Sequence, residues 1–156
     1  DIKKIIFSII TNPLIIGSLL ALILLLLNIN LPTFIISTIR DVAKIATPLS
    51  LVLLGASFSF SDIKKYLRET LIVVVGKLIV VPVLIVLTAY YIGFRDISLL
   101  TLMIMSASPT AVSSFQMAKE MGGDGDLASQ IVVFTSAFSI ATVFFWIFAL
   151  KQLALI

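Results

Sequence analysis

Five hydroxyls, one amide and one proline crowd a single stretch of an otherwise apolar chain. They are Ser106, Ser108, Pro109, Thr110, Ser113, Ser114 and Gln116, in the run SASPTAVSSFQMAK from 106 to 119. The segment from Ile97 to Ala118 carries no charge and is long enough to cross a bilayer as a helix. Pro109 has no N–H for the carbonyl of Met105, and its ring clashes with that carbonyl, so the helix must kink or break there. Pro109 lies about 18 Å along a helix from Ile97, slightly past the middle of a hydrocarbon core about 30 Å thick. Lipid cannot satisfy a freed carbonyl, so a break at that depth persists only against protein or a water-filled cavity. The reading is a discontinuous helix, with Ser108 capping a second half that opens at Pro109. Ser106, Thr110 and Ser113 stand at i, i+4 and i+7, on one face. Half-helices whose N-terminal ends face the midplane hold substrates in many transporters.

The plainer alternative is a kinked structural helix. Proline is frequent in membrane helices, and Ser or Thr often bonds back to its own helix. The density of polar groups around Pro109 favours the binding reading, because each one unpaired in lipid is costly. Lys77 joins the candidate site as the only charge well inside its span, about 10 Å from Thr70. It has two readings, snorkelling to the headgroups or facing a cavity, and the sequence leaves both open.

Composition defines what these groups sit in. The 156 residues are 60% hydrophobic and 12% charged, with mean hydropathy +1.22 and neither Cys nor His. That is an all-α integral membrane protein, not a soluble domain. Thiol chemistry is excluded, and the commonest metal ligand is missing. No metal, cofactor or catalytic residue is expected. The net charge of +3 is topological information rather than a sign of nucleic-acid binding. A start at Asp1 rather than Met reads as a fragment or a processed chain.

Five membrane helices follow from the pattern. The first runs from Pro13 to Leu27, with Asn12 as its cap, and the second from about Phe34 to Phe60, carrying Arg40, Asp41 and Lys44 in its first turns. A loop at 61–69 leads to a third span from Thr70 to Ile92, interrupted by Lys77 and Pro82. The broken helix at 97–120 is fourth, and a glycine-rich loop with Asp126 as cap leads to a fifth from Leu127 to Leu150. Ser129, Gln130, Thr135, Ser136, Ser139 and Thr142 give the fifth a face packed on protein. With five spans the termini lie on opposite sides. Lys3, Lys4, Lys64, Lys65, Arg68 and Lys119 make the loops at 61–69 and 119–126 cytoplasmic and leave the C-terminus outside, in a multi-pass protein of the plasma or inner membrane.

The run SPTAVSSFQMAKEMGGDGDLASQIVVFTSAFS resembles the penultimate helix, loop and final helix of the auxin efflux carriers. NPLIIGSLLAL and PLSLVLLGASF are similar to the sixth and seventh helices of the same family. The resemblance spans the C-terminal half of a ten-helix carrier. It implies a sodium–proton-antiporter-like fold of two inverted five-helix repeats. It makes residues 1–61 two scaffold or oligomerisation helices and residues 62–156 three transport-domain helices. Pro109 then matches the crossover proline, and Thr110 to Ser114 the substrate-facing stretch. Ser113 and Ser114 stand where the plant carriers have bulkier apolar residues, which points away from auxin; the resemblance to bacterial and archaeal members implies small carboxylates instead. The other repeat would come from a missing N-terminal half or a second, inverted copy of the chain.

The expected function is secondary transport of a small organic anion by alternating access. Asp and Glu are absent from the interiors of the five expected spans, whereas half-helix ends, hydroxyls and Lys77 favour negative charge. Two alternatives stand beside it. Gly123-Asp124-Gly125-Asp126 spells the G-x-G-D of intramembrane aspartyl proteases, but it falls in a loop with no second intrahelical aspartate. A purely structural membrane subunit would tolerate polar substitutions around Pro109.

Overall fold

The structure is a computed structural model that describes Phe7 and residues 10–156; Lys3 and Lys4, part of the topology argument, lie outside the described residues. All regular structure among the described residues is helical. The elements are α1 (Pro13–Leu26), α2 (Thr33–Ser57), α3 (Ile63–Val75), a π-helical turn (Gly76–Val80), α4 (Val81–Ile92), α5 (Asp96–Ala107), α6 (Val112–Glu120) and α7 (Gly125–Gln152). Three stretches are long and apolar enough to cross a membrane: Ile63–Ile92, Asp96–Glu120 and Gly125–Gln152. Pro13–Leu26 is a shorter apolar helix. In α2, the charges Arg40, Asp41 and Lys44 lie within four residues of one another.

The chain divides into two compact units, residues 1–49 and 50–156. In the first, the Asn12 side chain accepts from the Leu14 N–H at 2.9 Å and caps α1, whose first position is Pro13. At its other end Asn28 takes a φ of 50°, a conformation Asn tolerates, and the Ile29 N–H returns to the Leu24 carbonyl. Lys44 pairs with Asp41 at 2.8 Å on an exposed surface, so the pair adds little stability.

The second unit is built on a hairpin and a long helix. Helix α4 ends at Gly93, whose φ of 104° suits a residue without Cβ, and the chain reverses into α5. Val86 and Ala89 of α4, Leu99, Met103 and Ala107 of α5, and Leu150 of α7 form one buried cluster. Leu54, Phe115 and Val132 form a second, joining the end of α2 to α6 and α7. Most other large apolar side chains are exposed, including Leu84, Ile97, Met105, Ile140 and Phe144. Apolar surface on that scale suits lipid and not water.

Two boundaries and one buried face differ from the sequence expectation. The stretch read as a loop at 61–69 is helical from Ile63, so Lys64, Lys65, Arg68 and Glu69 sit exposed on the first two turns of α3. Its residues are good helix formers, and the Tyr66 hydroxyl fixes the turn by donating to Asp124 at 2.8 Å. The cap of α7 is Asp124, accepting from the Leu127 N–H at 3.0 Å, and not Asp126, which lies in the first turn. That N–H and then the Tyr66 hydroxyl hold the Asp124 carboxyl below its ordinary range. On α7, Ser129, Gln130, Thr135 and Ser139 are buried as expected, but Ser136 is exposed.

Candidate functional site

The apolar segment Asp96–Glu120 is interrupted. Helix α5 ends at Ala107 and α6 begins at Val112, with Ser108 and Ala111 extended at ψ 142°. Pro109 explains the stop, since it can neither donate to Met105 nor avoid clashing with that carbonyl. The restart is later than a cap at Ser108 would give. The Ser108 hydroxyl is turned back instead, donating to the Ile104 carbonyl at 2.8 Å, so it closes α5 and does not open α6. Ser106 does the same with Met103 at 2.8 Å. The shared face expected for Ser106, Thr110 and Ser113 is lost, because helical spacing does not run through an extended segment.

Side chains on α7 and α2 pin the restart. The Thr110 N–H donates to the buried Thr135 hydroxyl at 3.2 Å, which itself donates to the Ile131 carbonyl at 2.7 Å. Gln116 Nε2 donates to Ser50 Oγ at 2.8 Å. Ala111 supplies no side-chain cap to α6. Among the described residues, the N–H groups of Ala111, Val112 and Ser113 therefore find no acceptor. Pro109, Ser113 and Ser114 are exposed beside them, while Thr110 and Gln116 are half-buried. A helix start with free N–H groups and adjacent hydroxyls favours a negative or hydrogen-bond-accepting group.

Lys77 belongs to a second irregularity at the same level. Helices α4 and α5 have 12 residues each and form an antiparallel hairpin. The start of α4, and the π turn before it, therefore lies beside the end of α5. The π turn packs against both α5 and α7. Lys77 is half-buried there and, among the described residues, makes no hydrogen bond or ion pair. Sequence reasoning missed the π turn, the Thr135 contact and a bond from Trp146 Nε1 to the Leu78 carbonyl at 3.0 Å. The last had a legible signal: Pro82 stands four residues after Leu78, the same relation that Pro109 bears to Met105.

The G-x-G-D run is accounted for by turn chemistry. Gly122 has a φ of 73°, and the Gly123 N–H returns to the Ala118 carbonyl at 2.8 Å to close α6. A Cβ on Gly123 would meet that carbonyl oxygen at 3.0 Å.

Comparison with curated proteins and with solved structures finds no match. A family model described as membrane transport protein does match, over residues 2–147. It spans both units of the chain, the interrupted helix included, and most of α7. The chain belongs to this membrane transport protein family, the group of the auxin efflux carriers that its sequence resembles.

Proposed function

We propose that the chain is one five-helix repeat of a secondary carrier that moves a small organic anion by alternating access. The observation that carries this reading is the break at Ser108–Ala111 in a membrane-length apolar segment, with free N–H groups opening α6. Membership of a transport family gives the class of activity. The sign of the substrate comes from the positive helix end, the hydroxyls of Ser113 and Ser114, and Lys77. In this reading Ser106, Ser108 and Pro109 shape the break. Thr110, Ser113, Ser114, Gln116 and Lys77 line or support the site. The helices before residue 62 act as scaffold, and a second repeat, from a longer polypeptide or another copy, completes the crossing. All five apolar helices span, with Lys64, Lys65, Arg68 and Lys119 cytoplasmic.

The native chain has no Cys, so a cysteine placed at Ser113 is a clean probe. Its reaction with an anionic thiol reagent is expected to outpace a cationic reagent of equal size by about tenfold after correction for a free thiol, the effect of about 1.4 kcal/mol. Lys77→Gln should shrink that preference. A preference for the cationic reagent would reverse the sign of the proposed substrate. Impermeant labelling of a cysteine at position 64 only from the cytoplasmic side would accord with the topology, and labelling from outside would invert it.

A further inference from the structure

We propose that Trp146 is a positioning residue that holds the π turn, and with it Lys77, in register by supplying the hydrogen bond that Pro82 cannot make. In a regular helix the carbonyl of Leu78 accepts from the N–H at position 82, and proline has none. Leu78 is fully buried, so water or lipid cannot make good the loss. Trp146 Nε1 donates to that carbonyl at 3.0 Å from the neighbouring α7. Just before the proline, the Val81 N–H passes over the Lys77 carbonyl and reaches Gly76, which puts one extra residue into the turn. One residue of helix is about 100° of rotation, so keeping or losing the bulge decides which way Lys77 turns relative to α4.

The same helix holds both irregularities. Thr135 receives the Thr110 N–H at the break, and Trp146 caps Leu78 at the π turn. They are about 16 Å apart along α7, which therefore spaces the two halves of the candidate site. The inference rests on Lys77 being part of that site, but its test does not depend on transport.

The full protein is placed in phosphatidylcholine–phosphatidylglycerol vesicles and treated with an amine-acylating reagent. Modification of Lys77 is read by peptide mass spectrometry against exposed Lys44. Trp146→Phe keeps an aromatic ring and removes the donor. It is expected to change the Lys77 ratio about fivefold, the effect of stranding a buried acceptor. Pro82→Ala returns an N–H to position 82, so in that background Trp146→Phe should change the ratio less than about twofold. Emission from the protein's one Trp is expected to shift between wild type and Pro82→Ala as the indole loses its acceptor. An unchanged ratio in Trp146→Phe, or an equally large effect in the Pro82→Ala background, overturns the proposal. So does a Trp146→Phe chain that misfolds and is not rescued by Pro82→Ala. If the coupling holds while Lys77→Gln leaves uptake untouched, the latch stands and the substrate-site reading of Lys77 falls.

Discussion

Pro109→Ala is expected to join α5 to α6 and reduce uptake by roughly a hundredfold, while the chain still inserts. Proline in a helix interior is less favourable than alanine by about 3 kcal/mol, and that penalty is what keeps the segment open. Removing it shifts the balance between broken and continuous forms by roughly a hundredfold. The new N–H at 109 offers Met105 a donor, and Ser108 and Ala111 leave their extended conformation at ψ 142°. Hydrogen exchange over residues 104–113 should slow in the same variant. Unchanged exchange with unchanged uptake would show that Pro109 neither opens the helix nor serves transport.

Phe115→Ala is expected to release α6 from the rest of the second unit. Helix α6 has nine residues, too few to persist alone, and Phe115 is its one buried side chain. Phe115 is 2% exposed and packs against Leu54 and Val132. In water such a truncation costs about 3–5 kcal/mol; in a bilayer the transfer part shrinks and the lost packing remains, so the lower end applies. The Gln116–Ser50 and Thr110–Thr135 bonds are too few to hold the helix by themselves. Faster exchange confined to 110–121, with 81–107 unchanged, is the expected pattern. Phe115→Leu should restore most of the protection. Protection that survives the alanine variant would mean that the two polar contacts carry the helix.

The sequence showed where the helix breaks but not how the break is arranged. Pro109 has a strictly local consequence, the loss of one donor and a clash, so the interruption needed no tertiary information. What Ser108 does with its hydroxyl depends on a choice between two nearby backbone groups, and it closes α5 where the capping rule had it opening α6. The start of α3 was hidden because charged residues at 64, 65, 68 and 69 look like a loop between spans, while their helix is held by Tyr66 reaching Asp124, 58 residues away. Asp124 and Asp126 are both good caps, and only the path through Gly122 and Gly123 decides between them. The π turn follows the opposite pattern. Its cause, Pro82, was visible, but its partner Trp146 lies 68 residues from Leu78 and could not be paired without the fold. Apolar run length placed α1 and α7 to within two residues at each end because a bilayer demands whole helices whatever their partners, whereas the span expected from Thr70 to Ile92 is divided by the π turn.

The most direct test of the account is uptake by proteoliposomes carrying the protein in its full natural reading frame. Radiolabelled acetate, succinate and benzoate are compared with labelled choline, in wild type and in Pro109→Ala. The account predicts saturable uptake of at least one carboxylate, loss of that uptake in Pro109→Ala, and no uptake of choline. Choline uptake, or carboxylate uptake of equal rate in the Pro109→Ala protein, would contradict it.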